Sequence, residues 1–349
     1  MKKLIIMTAL LSSIPQSFAQ DLAWGGFVDT YYALDFNRPK DGKRQYTTQP
    51  AKSNEFNINL AYVDVVLKKP KTRGRFALQM GNSVDLNYAA EKDPDSKFIQ
   101  EAYIGQKIGE KTWIDAGIFL GNIGMESWIS KDNYTYTRSL FLDYVPYYSA
   151  GIRIEHQINE RELFQLQVLN GWQNIAENNE SKAIGMQYKF IKSEKFTFTY
   201  NNFFGDEEVV STRPRFRSYH NFILHFNLSE KWQLLSGFDI GEQSQQENKG
   251  VDAWYATSII LRQILDAQKA LAYRIEYYND RHQANIVTNT PNGFEVISSS
   301  VNYDYKFDEK MMWRTELRGF YSKDEIYNRG SRYLNRMNGF LTSSLSLSF

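Results

Sequence analysis

The connections between the extended segments of this sequence sort by length, and this feature restricts the fold most strongly. Apolar and polar residues alternate along most of the chain; in 148–158, Ile152 and Ile154 fall on one face and Arg153 and Glu155 on the other. Because successive strand side chains point to opposite faces, such a segment predicts a strand. Seven short and eight long connections follow one another in turn, which predicts about sixteen strands. The short ones are 68–73, 109–111, 159–161, 193–194, 229–231, 266–269 and 308–310; the long ones are roughly 36–54, 88–97, 123–146, 174–181, 206–216, 243–250, 280–293 and 323–335.

The regular order of short and long connections favours a barrel over a sandwich. A β-sandwich also alternates, but its connections need not sort by length. A transmembrane barrel has tight turns at one end and long loops at the other, and its closure leaves no strand edge in lipid. We therefore predict an all-β fold, a transmembrane antiparallel β-barrel of about sixteen strands, with apolar side chains facing lipid. Aromatic residues near strand ends are expected to form two interfacial girdles: Trp24, Tyr32, Tyr62, Trp232, Tyr277 and Trp313.

The first twenty residues, MKKLIIMTALLSSIPQSFAQ, are typical of a secretory signal peptide. They combine a basic start, an apolar stretch over 4–11 and small residues before a cleavage site after Ala19. A membrane anchor is the alternative, but the apolar stretch is shorter than the roughly 20 residues that a spanning helix needs. The predicted organisation is a signal peptide, 1–19, and a single barrel domain, 20–349, exported by a bacterium.

The last thirteen residues, MNGFLTSSLSLSF, alternate strictly and end on an aromatic side chain. This pattern resembles the carboxy-terminal signature of Gram-negative outer-membrane barrels, which the barrel assembly machinery recognises. The resemblance implies an assembly signal formed by Leu345, Leu347 and Phe349, and a location in the outer membrane.

Several segments of the amino-terminal half resemble the beta-barrel porin-2, or OmpL-like, family of bacterial outer-membrane proteins. The most specific is IDAGIFLGNIGMESWISKDNYTYTRSL at 114–140. The resemblance extends to about residue 190, beyond which only the barrel pattern continues. It implies an outer-membrane location and a passive channel, without defined binding residues. The other matching segments are GGFVDTYYALDFNRP at 25–39, NEFNINLAYVDVVL at 54–67, IQEAYIG at 99–105 and LNGWQN at 169–174.

Residue types that usually carry catalysis or metal binding are scarce. The chain has no cysteine and no Gly-x-Ser-x-Gly motif, and its 41 Lys and Arg balance 40 Asp and Glu, which argues against a nucleic-acid partner. His156 and His220 are predicted to face lipid, His282 to lie in a loop, and His225 to face the lumen without a catalytic partner. We therefore expect no enzymatic activity, no cofactor and no metal.

Charged residues within strands lie opposite the apolar face and are predicted to line a water-filled pore. An Arg or Lys facing lipid near the bilayer midplane would cost about 2–4 kcal/mol. Ion pairs that fill a plugged interior are the alternative, but a sixteen-stranded barrel is too wide for side chains alone to fill. The predicted pore-lining residues are Arg153, Glu155, Arg274, Glu276, Arg314, Glu316 and Arg318.

The long connection at 123–146 is rich in aromatic residues and is predicted to fold into the barrel and narrow it. A loop this apolar is unfavourable outside, and 125–132 is expected to form a short helix. Its acids would oppose the basic wall and create a transverse field. The predicted constriction charges are Glu126, Asp132 and Asp143, with Arg138.

These inferences favour a porin for passive diffusion of small hydrophilic solutes. An adhesin or structural barrel that acts through its surface loops is the alternative, and an outer-membrane enzyme is a third reading. The expected partners are outer-membrane lipid and lipopolysaccharide, the barrel assembly machinery and the solutes themselves, with a homotrimer by analogy to other sixteen-stranded porins.

Overall fold

The strands of the computed structural model close into one barrel. It describes residues 21–207, 215–245, 250–330 and 333–349, and the predicted signal peptide lies outside these ranges. Sixteen antiparallel strands pair with their neighbours along the chain, and the first pairs with the last. The predicted fold class is confirmed. The barrel strands are β1 (Leu22–Asp35), β2 (Phe56–Lys68), β3 (Thr72–Met80), β4 (Ile99–Lys107), β5 (Thr112–Leu120), β6 (Tyr148–Asn159), β7 (Glu162–Leu169), β8 (Ala183–Ser193), β9 (Phe196–Asp206), β10 (Phe216–Asn227), β11 (Trp232–Ser244), β12 (Val251–Ile264), β13 (Lys269–Asp280), β14 (Phe294–Lys306), β15 (Met311–Ser322) and β18 (Met337–Ser348).

The two ends of the barrel differ in the length of their connections. Short turns such as 69–71 and 160–161 lie at one end, which we call the short-turn end, together with residues 22 and 348. Longer loops lie at the opposite, long-loop end. The last of them carries a small hairpin, β16 (Tyr327–Arg329) and β17 (Tyr333–Asn335).

The two faces of β18 follow the alternation of its sequence. Leu341, Leu345 and Leu347 are exposed on the outer surface, whereas Ser344 and Ser346 are buried inside. The same rule holds for the outward-facing girdle residues Trp24, Tyr32, Trp232, Tyr277 and Trp313, whose neighbours in sequence face inward.

Tyr62 is the exception among the predicted girdle residues. Its ring lies inside the barrel, 5.9 Å from that of Phe27 and 5.8 Å below the guanidinium carbon of Arg75. The pairing of β1 with β2 shifts between Asp29 and Thr30, which leaves one extra residue in β2. Such a β-bulge reverses the face of every following side chain, so the girdle assignment of Tyr62 was wrong.

In the part of the chain that the structure describes, helical structure is confined to short turns in the long loops. An α-helix there, α1 (Asn82–Asn87), follows Gly81, whose φ is 136°; a Cβ at this position would lie only 2.4 Å from the Asn59 carbonyl oxygen, which excludes a side chain. The helix expected over 125–132 is a single 3₁₀ turn, Ser130–Asp132. Among the described residues, no helix has both the length and the apolar character needed to cross a membrane. The other 3₁₀ turns are Pro94–Phe98 and Leu140–Tyr144.

Aromatic side chains pack inside the barrel towards the long-loop end. The ring of Trp172 lies 4.9 Å from that of Phe203 and 5.0 Å from that of Tyr219. Tyr278 and Phe294 form an edge-to-face pair at 5.4 Å. These rings join buried residues of the connection between β5 and β6 in one hydrophobic cluster, so the core lies within the barrel rather than between two sheets.

Candidate functional site

The connection between β5 and β6, residues 121–147, lies inside the barrel, and we call it the β5–β6 loop. The backbone N–H of Gly124 donates to the side-chain oxygen of Asn221 on β10 at 3.1 Å. Farther along the loop, the hydroxyl of Tyr136 donates to Asp29 on β1 at 3.2 Å. The loop therefore crosses the interior from β5 to β10 and reaches β1 before it returns to β6.

Three buried arginines of the wall hold the backbone of this loop. Arg274 projects from β13, and Arg314 and Arg318 project from β15. Each donates to main-chain carbonyl oxygens of a loop without regular structure and so helps to satisfy the hydrogen-bonding groups of its buried backbone. The acceptors are Thr137 O for Arg274 (2.6 Å), Asn133 O (2.7 Å) and Ser130 O for Arg314, and Arg138 O for Arg318 (2.8 Å).

Two buried carboxylates of the wall accept from the same loop. Glu316 accepts the backbone N–H of Thr137 at 2.7 Å, and Glu276 accepts that of Leu140 at 2.6 Å. Glu316 also pairs with Arg274 at 2.7 Å. Donors and acceptors on the wall thus alternate to match the alternating N–H and C=O groups of the loop backbone.

The charged side chains of the loop differ in their exposure. Glu126 is buried, accepts the backbone N–H of Ser139 at 2.8 Å and lies 3.7 Å from Arg274. Asp143 is buried and accepts the hydroxyls of Thr48 and Tyr147.

Lys131 and Asp132 instead are exposed at the tip of the loop, with 3.7 Å between their charged groups. Next to them, the hydroxyl of Ser130 donates to Asp29 on β1 at 2.8 Å. The tip therefore presents one cation and one anion near β1.

A second group of charges, on β3 to β6, stays partly in contact with solvent around the buried carboxylate of Asp115. Arg73 and Arg153 both pair with Asp115, at 2.7 and 2.8 Å, and Arg73 also pairs with Glu155 at 3.0 Å. The exposed fractions of these two arginine side chains are 24% and 15%. This part of the wall is therefore polar, wet and held in place by ion pairs.

Arg75 extends this group towards β2. Its Nε lies 2.9 Å from Asp64, and a terminal nitrogen contacts Glu101. Each of the three arginines also lies over an aromatic ring. Such stacking restricts the side chain without removing its charge. The rings are those of Trp113 for Arg73, Tyr62 for Arg75 and Phe119 for Arg153.

The eleven charged residues predicted to line the pore fall into two sets. Three of them, Asp132, Arg153 and Glu155, contact solvent. The other eight lie buried between the wall and the β5–β6 loop: Glu126, Arg138, Asp143, Arg274, Glu276, Arg314, Glu316 and Arg318.

Sequence reasoning left Arg73, Arg75, Asp64 and Asp115 out of the predicted site. Arg73 was counted within the short connection 68–73, although β3 begins at Thr72. Asp115 occupies an inward position of TWIDAGIFL, so the alternation of that segment carried a signal that could have identified it.

Two further features bear on catalysis. His225 faces the interior, as predicted, and its Nε2 lies 2.8 Å from the hydroxyl of Tyr134 on the β5–β6 loop. Within the described ranges, no group of three or more His, Asp or Glu residues has the geometry of a metal site.

One acid at the long-loop end has an unusual environment. Glu207 accepts the backbone N–H of Trp172 at 3.0 Å, and burial raises its pKa to about 7, although nearby Arg217 acts in the opposite direction. The guanidinium carbon of Arg217 lies 4.9 Å from the ring centre of Trp172. The charge of this region therefore changes near neutral pH.

The three residues of the predicted assembly signal lie on the outer surface. Leu345, Leu347 and Phe349 have exposed fractions of 40%, 43% and 59%. The main chain of Phe349 exchanges two hydrogen bonds of 3.1 Å with Gly26, which ties the last residue to β1. A Cβ at Gly26 would lie 2.2 Å from the Phe349 ring, so glycine is what lets the ring lie flat there.

Comparison with known proteins identifies this architecture. Residues 21–349 match the model of a protein family described as "Putative beta-barrel porin-2, OmpL-like". No curated protein sequence matches the chain.

Solved outer-membrane structures share the fold. The anion-selective porin from Comamonas acidovorans is 9% identical, with a TM-score of 0.64 over 94% of this chain and 99% of that one. The outer membrane channel DcaP of Acinetobacter baumannii is 10% identical, with a TM-score of 0.61 over 94% and 97%. OprB of Pseudomonas putida is 10% identical, with a TM-score of 0.59 over 98% and 96%. At these identities the similarity establishes the fold alone.

Proposed function

Because this chain belongs to the OmpL-like beta-barrel porin-2 family, we propose that it is an outer-membrane porin for passive diffusion of small hydrophilic solutes. The family and the barrel support a channel in the outer membrane. The observation that carries the proposal is the partly exposed ionic wall of β3 to β6, since charged side chains inside a barrel cost little where water reaches them. The short-turn end then faces the periplasm.

We propose that the passage runs between this wall and the β5–β6 loop, which sets its narrowest point. The loop contacts β10, β12, β13, β15 and β1, whereas the partly exposed inner charges lie on β3 and β6. In this proposal the passage therefore follows the side of the interior bounded by β2 to β9. There Arg73, Arg75 and Arg153 alternate with carboxylates, and the loop tip adds Lys131 and Asp132. Such a mixed lining gives weak net ion selectivity.

The eight buried charges act on the passage indirectly in this proposal. Arg274, Arg314 and Arg318 hold the loop backbone against the wall, and the loop in turn limits the passage. In this proposal the buried charges anchor the loop, whereas the sequence pattern predicted that they line the pore.

An adhesin or structural barrel is distinguished from a porin by its electrical behaviour. The purified, refolded protein in a planar bilayer should give stable steps of open current. A correctly folded barrel that inserts and yet gives no steps would exclude the porin and favour an interaction role for the long loops. A homotrimer stays a proposal by analogy; OmpT of Vibrio cholerae has a trimer form.

Inward positions that the β5–β6 loop leaves open and inward positions that it covers should differ in thiol reactivity. Thr199 faces inward on β9 and Phe198 faces outward, while Ser344 faces inward beneath the β5–β6 loop and is buried. In the cysteine-free parent, Thr199→Cys should react with a charged methanethiosulfonate reagent, whereas Phe198→Cys in lipid should not. Ser344→Cys should react only after the loop is shortened. Equal labelling of Ser344→Cys in the full-length protein would show that water reaches the whole wall.

The outer position of Phe349 predicts a loss of assembly on its removal. Phe349→Ser should lower the amount of heat-modifiable barrel in the outer membrane, because the machinery that inserts barrels would lose the aromatic end of its signal. Leu341→Ser, an outward position outside the predicted signal, is the control. Parental abundance of the Phe349→Ser barrel would leave the terminal aromatic without an assembly role.

A further inference from the structure

A cleft opens on the inner wall at the short-turn end, where β13 carries small residues. Ala272 pairs with Arg262 on β12, and Ala270 pairs with Asp304 on β14. Neighbouring strands lie about 4.8 Å apart, so the small side chain of Ala270 on β13 leaves a gap roughly 10 Å wide between the longer side chains of β12 and β14. The resulting cleft has a volume of about 250 Å³.

Two cations at this cleft lack anionic partners within the described residues. Arg262 donates from Nη1 to the amide oxygen of Gln233 at 3.3 Å, but its Nε is buried without a hydrogen-bond partner. Its guanidinium carbon also lies 5.0 Å from the ring centre of Tyr134, which limits its movement. Lys306 is exposed on the inner side of β14, and in the described part of the chain no carboxylate lies within 4.0 Å of its ammonium.

The carboxylates at the cleft already have partners. Asp304 is bound by Arg314 through two contacts of 2.8 and 3.1 Å. Asp266 accepts the backbone N–H groups of Gln268 and Lys269, each at 2.9 Å, and the ammonium of Lys269 lies 3.4 Å away. The positive charges of Arg262 and Lys306 are therefore not neutralised by the carboxylates that line the cleft.

We propose that this cleft binds a small oxyanion, such as phosphate or the carboxylate of a small solute. A guanidinium with an unpartnered N–H and an exposed ammonium are groups that bind such anions through charge-assisted hydrogen bonds. The cleft adjoins the end that the proposed function assigns to the periplasm. If the protein is a porin, the cleft retains anions at the periplasmic mouth of its channel. Anion binding at the cleft does not require that the protein conducts.

Equilibrium binding of inorganic phosphate to the intact barrel in detergent tests the site. Calorimetry in a phosphate-free buffer of low ionic strength should show one saturable site. Arg262→Gln and Lys306→Gln should each weaken binding about tenfold, as expected for loss of a charged hydrogen-bond donor. Lys269→Gln is the matched control: it removes the same charge at the same cleft but from a paired lysine, and it should change binding little.

Three outcomes would overturn the proposal. The first is a calorimetric titration with phosphate that shows no saturable binding. The second is an equal loss of affinity in all three variants. The third is a correctly folded Lys306→Gln variant that binds phosphate like the parent. Equal losses would mean diffuse attraction to net charge.

A bilayer experiment distinguishes an anion captured from the periplasm from a solute that permeates the channel. Phosphate is added to one side of the bilayer at a time. Faster current flicker from the periplasmic side alone indicates capture from that compartment, whereas flicker from both sides indicates a permeating solute. A protein that binds phosphate in detergent but passes no current would refute the porin and leave the anion site standing.

Discussion

Removal of residues 128–142 from the β5–β6 loop is expected to raise the single-channel conductance several-fold. This segment carries the exposed tip and most of the contacts with Arg274, Arg314 and Arg318. Without it, the covered half of the inner wall becomes wet and the passage widens, while the strand ladder that closes the barrel is untouched. Conductance follows the cross-section of the narrowest point, so the effect is large.

The measurement is the step size in planar bilayers, made on protein whose heat-modifiable migration shows a folded barrel. A matched control changes only the charges of the exposed tip, Lys131→Gln with Asp132→Asn, and should leave the step size close to that of the parent. A shortened protein that assembles normally and conducts like the parent would mean that the loop does not limit the passage.

Replacement of Arg314 by Met is expected to produce the largest loss of stability of any single wall substitution. It leaves Asp304 buried without its cation and removes the Arg314 donor from the carbonyl oxygens of Ser130 and Asn133. Loss of one member of a buried pair costs about 3–5 kcal/mol. The folded band should convert to the unfolded one at a lower temperature, and the open current should become noisier as the loop loosens.

Two companion variants separate anchoring from pore lining. Arg314→Met with Asp304→Leu removes both charges, and it should recover part of the lost stability because no charge is left buried alone. Arg75→Met removes a partly exposed arginine; it should cost less stability but shift the reversal potential in a salt gradient towards cations. If Arg314→Met instead changed selectivity as much as Arg75→Met and spared stability, Arg314 would line the water path.

The strands and their faces could be predicted from sequence because the signal is local. A two-residue period places Leu345 outside and Ser344 inside wherever a strand is regular, and the parity of connection lengths distinguishes a barrel from a sandwich. Tyr62 shows the limit of this reasoning. One bulged residue in β2 reverses the face. The apolar positions change from even to odd numbers between Phe56 and Val65, but the alternation does not fix the residue at which the change occurs.

The inward direction of Arg314 and Arg153 followed from sequence, but their surroundings did not. Both are inward-facing arginines with a nearby carboxylate, and strand period treats them alike. The structure buries Arg314 under a loop and leaves Arg153 partly in water, because the hydrogen bond from Arg314 to Asn133 joins residues 181 positions apart. Alternation along the chain thus determined which residues face the interior, whereas long-range packing of the β5–β6 loop decided which of those side chains are buried.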